Sequence, residues 1–299
     1  MRKVLAALAL SFAAVGGATA VARAQEPAAP ARLLFRVGDA FRGPVKTVRM
    51  EQASFLTRDG ARVEGPRVLI AIHRYSPDGR TAERETYAPD GSLRRKTVHR
   101  YGGDGRLLEE SHYDARGALI DRKSYNSSPD ETLTFDGEGR LSERRVVVWN
   151  AQRNKMKEVL TYDGAGALIR RSVNTVDEAG KKSTWTTYGP DGAILDQSVH
   201  SLDYGGPHRT EQQTFNAEGS AAGTRVATAD AAVGRLEAVE TNADGTVRRK
   251  TSEERKYDSH RNLSRLVNLR WSDEKGAYEP VVVTYYFTTY YDSGDERIR

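Results

Sequence analysis

The side chains best suited to chemistry in this sequence are His99, Glu109 and Lys123. If Tyr101 lies opposite Leu107 across a turn, His99 faces Glu109, and Glu109 also faces Lys123 on the following strand. A carboxylate beside an imidazole can act as a general base. The same row is also what alternating charges on neighbouring strands produce. Because a catalytic site further requires a nucleophile and a pocket, we assign no catalytic residue and keep these three as candidate binding residues.

The histidines give little support for a metal site. Strict alternation places His73 and His99 on one face of a sheet and His112 on the other, with His73 two strands from His99, about 10 Å away. His200 and His208 could converge across the turn between them, but a third ligand is missing. The chain contains no Cys, which excludes thiolate sites and disulfides. We therefore predict no metal and no cofactor.

Motifs typical of other sites are absent. The Asp residues of the Asp-Gly turns lack EF-hand spacing and are explained by turn formation. No glycine-rich loop leads into a helix to cradle a phosphate, and no Gly-x-Ser-x-Gly elbow presents a nucleophile. The 14 Tyr residues could stack on sugars or peptides, although Tyr also packs well in strands. The sequence predicts a non-enzymatic protein.

A repeated turn motif determines how these side chains are positioned: an aromatic residue, Gly four residues later, and Leu two residues after that. Asp-Gly, often with Pro before Asp, predicts a three-residue hairpin loop that ends in a left-handed Gly. Each aromatic then lies directly opposite its Leu, and this pair fixes the register. The clearest copies are Tyr87, Gly91 and Leu93; Tyr101, Gly105 and Leu107; Tyr113, Gly117 and Leu119; and Tyr162, Gly166 and Leu168.

The motif predicts an all-β fold, a wide antiparallel meander of repeated hairpins. The step from each Leu to the next aromatic is even, which places every motif residue on one face. The same register places Glu85 opposite Arg95 and Glu110 opposite Arg122, two pairs of opposite charge. It also places Arg84 opposite Lys96, a pair of like charge. We expect roughly fifteen strands in a single curled sheet or a partial shell.

The two ends of the predicted sheet differ in character. Residues 43–55 form an opening strand, whereas residues 220–240 are irregular and fit no register. Residues 281–291 are apolar on both faces, and such a strand would aggregate at an open edge. We predict that it lies inside the sheet or is covered by residues 33–37.

The first 24 residues are typical of a secretory signal peptide. A basic start, Met1–Lys3, precedes the apolar run Val4–Val15, and cleavage is expected after Ala20 or Ala24. Residues 25–32 form a flexible linker, and residues 33–299 form a single β-repeat domain. The location predicted for the mature protein is periplasmic or secreted.

The distribution of charge along the sequence argues against a nucleic-acid partner. The formal net charge is +5 from 46 basic and 41 acidic residues, and removal of Arg2, Lys3 and Arg23 leaves 43 basic residues, or +2. The charges are interspersed, so we predict no nucleic-acid partner. No second apolar stretch is long enough to cross a bilayer, so we predict no membrane span.

Three copies of the motif, YDARGAL at 113, YDGAGAL at 162 and YDSHRNL at 257, resemble the Tyr-Asp (YD) repeat of the RHS family of exported bacterial proteins. The resemblance covers most of residues 75–263 and includes the opening GPVKTV. In large RHS proteins it implies a β-shell around a C-terminal toxin. This chain has few repeats and neither a self-cleavage core nor a toxin domain, so it resembles the short stand-alone type. Antidote-type repeats of toxin–antitoxin systems have a similar rhythm.

The leading functional hypothesis is an exported protein whose sheet surface binds or scaffolds an unknown protein or polysaccharide partner, in the cell envelope or outside the cell. A second hypothesis is an envelope glycan hydrolase using Glu83, Glu85 or Glu109, which requires two carboxyls across a cleft. A third is a carrier of hydrophobic ligands, if the sheet closes around an apolar interior.

Overall fold

The computed structural model describes residues 41, 43–128, 130–153, 155–177, 182–203, 208–215, 220–230 and 235–291. Within these residues lie 19 strands: β1 (Val45–Arg58), β2 (Ala61–Glu64), β3 (Val68–Tyr75), β4 (Thr81–Tyr87), β5 (Leu93–Tyr101), β6 (Leu107–Asp114), β7 (Leu119–Ser128), β8 (Glu131–Asp136), β9 (Leu141–Trp149), β10 (Met156–Asp163), β11 (Leu168–Val176), β12 (Lys182–Tyr188), β13 (Ile194–Asp203), β14 (His208–Phe215), β15 (Ala221–Asp230), β16 (Arg235–Asn242), β17 (Val247–Tyr257), β18 (Leu263–Ser272) and β19 (Ala277–Tyr290). The all-β, antiparallel prediction is confirmed. No helix in this part of the chain is long and apolar enough to cross a membrane.

The sheet closes into a barrel. β1 pairs with β3 on one side and with β19 on the other, and β3 to β19 each pair with the next strand in sequence. Eighteen strands, β1 and β3–β19, therefore form the ring, while β2 pairs with the end of β1 beyond it. The open, curled sheet and the count of fifteen were both wrong. Closure removes the exposed edges that a wide sheet would otherwise present.

β19 shows why closure is favourable. It is apolar along its length, and it pairs with β18 on one side and with β1 on the other. Its prediction as an interior strand is confirmed. Residues 33–37, predicted as an alternative cover, lie outside the described residues, as do the signal peptide and the linker.

The predicted turn geometry is confirmed at the residue level. Ala88 N donates to Ser92 O at 2.9 Å, Gly91 N donates to Ala88 O at 2.9 Å, and Gly91 has a φ of 83°. Tyr87 lies opposite Leu93. The same opposition joins Tyr101 to Leu107, Tyr113 to Leu119 and Tyr162 to Leu168. Even the copy at 257 keeps the turn, with Arg261 in the Gly place at a φ of 62°.

A β-bulge next to each motif changes the register beyond the turn. Leu93 pairs with Tyr87, but Arg95 pairs with Thr86, so Arg94 is the extra residue. The extra residue shifts all later pairings by one and reverses the side-chain alternation. Successive motifs consequently point to opposite faces, and the prediction that all motif residues share one face was wrong.

The predicted charge pairs change accordingly. Glu85 lies opposite Lys96, not Arg95, and Arg84 lies opposite Thr97, so the predicted clash with Lys96 does not occur. Arg122 lies opposite Ser111, not Glu110.

Most of residues 220–240, which were predicted to be irregular, lie in the regular strands β15 and β16. β15 and β16 pair without a register shift from Gly223↔Asn242 to Asp230↔Arg235, so the predicted loss of register there was wrong.

The two faces of the wall can be assigned from burial. His73 and His99 share a face and are each 8% exposed, and Val48 on that face is 0% exposed. Burial is the first cause that lowers the pKa of His73 to about 4 and raises the pKa values of Tyr101 and Tyr125 to about 12. A concave wall crowds its side chains, so we assign these residues to the inner face. The other face, which carries Glu85 and Tyr113, is the outer face.

Apolar packing is distributed between these faces. One buried cluster, on the inner face near the start of β1, contains Val48, Tyr75, Ala82, Leu263 and Tyr286, with Phe41 against it. The other lies on the outer face near the opposite end of the barrel and contains Ala53, Val267, Leu269 and Val283. The alternation of motif faces explains this: motifs at one end are apolar inward and those at the other end apolar outward.

Candidate binding site on the inner wall

Glu110 is the centre of a charged cluster on the inner face of β5, β6 and β7. Its carboxylate lies 2.9 Å from His112 Nε2, 3.6 Å from His99 Nε2 and 3.8 Å from Lys123 Nζ. His112 Nδ1 in turn lies 2.7 Å from Asp121 Oδ1. The cluster thus brings two carboxylates, two imidazoles and an ammonium together across three neighbouring strands.

The bulge after Leu107 creates this cluster. Tyr101 pairs with Leu107, but Arg100 pairs with Glu109, so Glu110 falls opposite His99. On its other side Glu110 lies opposite Lys123. The structure therefore brings the predicted residues His99 and Lys123 together, but around Glu110.

The third predicted residue, Glu109, points the other way. It lies on the outer face opposite Arg100 and Ser124, and its carboxylate is 3.8 Å from both Arg100 Nη1 and Arg122 Nη1. The predicted contacts of Glu109 with His99 and Lys123 were wrong because the bulge reverses the alternation of the strand.

The electrostatics of the cluster favour an ionised carboxylate. The hydrogen bond with His99 is the first cause that lowers the pKa of Glu110, followed after desolvation by the charge of Lys123. A general acid requires a raised pKa at neutral pH. Glu110 is therefore suited to accept hydrogen bonds and to hold its neighbours in place.

The other histidines fall into separate environments. His112 shares the inner face with His99, which corrects its predicted placement on the opposite face. His73 shares that face two strands away, on β3. His200 pairs with Gln212 and contacts Ser198 Oγ at 3.1 Å, and burial lowers its pKa. The side chain of His208 lies outside the described residues. Across the described residues no group of three or more His, Asp or Glu side chains is placed to hold a metal ion.

The carboxylates proposed for glycan hydrolysis lie on the outer face. Glu83 pairs with Lys96 at 2.9 Å, and Glu85 pairs with Arg74 at 2.7 Å while accepting a hydrogen bond from the Tyr87 hydroxyl at 2.7 Å. The hydrogen bond from Arg74 is the first cause that lowers the pKa of Glu85. Ion-paired carboxylates on a convex wall do not face each other across a cleft.

A different part of the inner wall is built mainly from hydroxyl and amide side chains, with Asp196 opposite Thr187 and Arg170 beside Ser172 on its margin. On β11 and β12, Ser172 Oγ lies 3.1 Å from Thr187 Oγ1, and Ser183 Oγ donates to Asn174 Oδ1 at 2.7 Å. Trp185 shares this face, opposite Asn174. The hydrogen bonds named here join uncharged groups.

Sequence reasoning missed Glu110, His112 and Asp121 as partners. Their types and spacing are visible in the sequence, but the bulge that brings them onto the face of His99 is not. The sequence shows the bulge only indirectly. Several motif Leu residues are followed directly by a second aliphatic residue, namely Leu108, Ile120 or Ile169. These are the positions of the extra residues.

Comparison with known proteins yields distant likenesses. No family model matches the chain, and no curated protein matches it. A porin-like protein from Bacteroides uniformis is 10% identical, with a TM-score of 0.40 over 82% of this chain and 97% of that one. A porin-like protein from Bacteroides vulgatus is 11% identical, with a TM-score of 0.32 over 83% and 98%. TcdB2-TccC3 without its hypervariable C-terminal region is 12% identical, with a TM-score of 0.16 over 80% of this chain and 18% of that one. All three TM-scores lie below 0.5, so no family is assigned from them, and the resemblance to RHS repeats stays a prediction.

Proposed function

We propose that this protein is an exported, non-enzymatic β-barrel that stands in water, in the cell envelope or outside the cell, and binds a ligand or partner on its wall. The observation that carries the proposal is a series of ion pairs along the outer face. Lipid would have to contact this face if the strands crossed a bilayer.

The ion pairs recur on the outer face of β3–β5 and of β8–β11. Lys96 pairs with Glu83 and Arg74 with Glu85 on one side, and Arg144 Nε lies 2.5 Å from Glu131 Oε1 further along. Arg171 pairs with Glu158 two strands beyond. A single Arg or Lys on the lipid face of a barrel costs about 2–4 kcal/mol at the bilayer midplane. A wall with such charges on several strands is suited to water.

The inner wall offers the larger surface for binding. A ring of 18 strands has a backbone diameter of about 35 Å at ordinary strand spacing and tilt, enough for an aqueous interior. That interior is lined by the charged cluster around Glu110 and by the uncharged hydroxyl and amide wall. A polar ligand, such as a polysaccharide or a polypeptide segment, finds hydrogen-bonding partners on both.

The ionised state of Glu110 supports binding over catalysis. Its neighbours hold its charge in place, and the carboxylates considered for glycan hydrolysis are engaged by cations on the opposite face. Carbohydrate or peptide recognition requires fixed donors and acceptors of this kind.

The apolar cluster of the inner face supports a second candidate, a carrier of hydrophobic ligands. Tyr75 and Tyr286 lie there with Leu263 and Val48. Mass spectrometry of protein purified without detergent tests this, since a carried lipid co-purifies at a fixed ratio. Protein free of any lipid would exclude the carrier.

Fractionation of the exporting cell tests the main proposal. We expect the mature protein in the periplasmic or extracellular fraction, monodisperse by size exclusion without detergent. Recovery with the membranes, together with a requirement for detergent, would contradict a water-exposed outer wall. Isothermal titration with neutral and acidic oligosaccharides and with unfolded peptides then identifies the class of partner.

A further inference from the structure

Three buried polar atoms lack a hydrogen-bond partner among the described residues, and all three lie in one place. They are Thr288 Oγ1, His73 Nε2 and Arg84 Nε. Most buried polar groups in proteins are satisfied, so an unpartnered one indicates an absent water, ion or ligand. Two of the three, His73 Nε2 and Arg84 Nε, belong to residues directly opposite each other.

The three residues form a single cross-strand row on the inner face. Thr288 of β19 lies opposite Val48 of β1, Val48 lies opposite His73 of β3, and His73 lies opposite Arg84 of β4. Residues directly opposite each other have Cβ atoms about 4.5–5.5 Å apart. His73 and Arg84 can therefore contact one small molecule together, whereas Thr288 lies two strands from His73, about 10 Å away beyond Val48.

Arg84 differs from two other inner-face arginines that form ion pairs. Arg225 lies 3.8 Å from Glu240, and Arg255 lies 2.7 Å from Glu253. Arg84, by contrast, forms no ion pair within the described part of the chain.

The immediate neighbours of Arg84 explain its missing partner. They are His73 and Thr97 across the strands, and Ala82 and Thr86 along its own strand. None of the four is a carboxylate. A partly buried guanidinium without a counter-charge is costly, so a counter-charge from outside the described residues would stabilise Arg84.

We propose that His73 and Arg84 form a binding site for a small oxoanion on the inner wall. Both groups can donate hydrogen bonds. Arg donates through every nitrogen, and its planar fork matches the oxygens of carboxylate, phosphate and sulfate. A metal cation is excluded by the guanidinium, and a buried water would leave its charge uncompensated.

This inference deepens the proposed function, because it names the chemistry of one ligand group in the lumen, but it rests only on the barrel and its register. The oxoanion can be a free ion or a group on a larger acidic ligand. Both are captured by the same donors, so the probes include a free inorganic anion and a carboxylate carried on a sugar.

The test compares the melting temperatures of three proteins in chloride buffer and in inorganic phosphate, sulfate or glucuronate at matched ionic strength. Wild-type protein should melt several degrees higher with a bound oxoanion, and the rise should grow with the logarithm of ligand concentration over its Kd. Arg84→Met should melt at the same temperature or higher than wild type in chloride, because an unpaired charge has been removed. Isothermal titration should show that Arg84→Met binds each oxoanion at least tenfold more weakly than wild-type protein does.

The matched control is Arg100→Gln, which removes a positive charge from the next strand on the outer face, where Arg100 is largely exposed. It should bind oxoanion within twofold of wild type. Equal stabilisation of Arg84→Met and wild type by phosphate, or no binding by wild type of any of the three anions, would overturn the site. Either result leaves the solubility of the barrel untouched, whereas a need for detergent would refute the proposed function and not the site. Preference for glucuronate over phosphate would assign the oxoanion to an acidic glycan.

Discussion

Two sectors of the inner wall share one backbone design and carry opposite chemistry. The charged sector comprises Arg84, His99, Glu110, His112 and Lys123 on β4–β7. The neutral sector comprises Ser172, Asn174, Ser183, Thr187 and Ser198 on β11–β13. Both are delivered by the same turn and bulge, which repeat at Gly91, Gly117 and Gly166. The comparison teaches that the repeated motif builds the wall, while the residues between motifs choose what the wall binds.

The largest expected effect is a dependence of the free energy of unfolding on pH, which arises beside the charged sector. The pKa of His73, beside the charged sector, falls from 6.5 to about 4 in the folded protein, chiefly through burial and then through the charges of Arg84 and His99. The unfolded chain therefore binds the extra proton between these values, and stability falls as pH drops from about 6.5 to 4, by up to about 3 kcal/mol.

Urea unfolding at a series of pH values measures this loss, and His73→Gln should flatten that part of the profile. The residues that face His73 from the two neighbouring strands are Val48 and Arg84, neither of which is a carboxylate. Glu110 lies three strands away, and its pKa is lowered. The control is His200→Gln, which removes a second imidazole whose pKa burial lowers, in the neutral sector. An unchanged profile in His73→Gln would show that His73 is not held neutral by its surroundings.

The next effect concerns the centre of the charged sector. Glu110→Gln removes the charge that His99, His112 and Lys123 share, and we expect a loss of about 2 kcal/mol, the value of hydrogen bonds to a charged group. Ser172→Ala in the neutral sector removes one neutral hydrogen bond and should cost about 1 kcal/mol. Chemical denaturation at pH 7 measures both. Equal losses would mean that the charge at Glu110 contributes no more than a hydroxyl.

Substitutions in the turns should destabilise the protein equally in the two sectors. Gly117 and Gly166 have φ values of 82° and 88°, and nothing lies within 4 Å of a Cβ built at either position. Ala at each should therefore cost only the left-handed backbone, about 1.5 kcal/mol. Gly117→Ala and Gly166→Ala are expected to lower the free energy of unfolding equally. A clear difference would indicate that one turn carries a role beyond the wall.

The smallest effect improves a turn. Arg261 occupies the Gly place at a φ of 62°. Arg261→Gly relieves about 1–2 kcal/mol of backbone strain and adds about 0.5–1 kcal/mol of unfolded-state entropy, for a net gain of about 0.5 kcal/mol. A small rise in the urea midpoint measures it. A fall would show that the Arg261 side chain stabilises the turn more than its backbone destabilises it.

Part of the site could be read from the sequence, and part could not. His99 and Lys123 were identified because charged residues near a predictable turn stand out. Glu109 was chosen in place of Glu110 because one extra residue per turn is invisible to an alternating pattern. The sequence pattern predicts only a clash between Arg84 and Lys96, whereas the structure shows no ion pair of Arg84 with any described residue.

The sequence by itself determined the local structure: an antiparallel all-β chain, three-residue turns with a left-handed last residue, and Tyr87, Tyr101 and Tyr113 each opposite a Leu. These follow from backbone sterics and contacts a few residues apart. Only the tertiary structure decided which face each side chain occupies and whether the sheet closes. The first depends on counting every bulge. The second depends on β1 meeting β19 across more than 200 residues of intervening chain, a contact that no local pattern encodes.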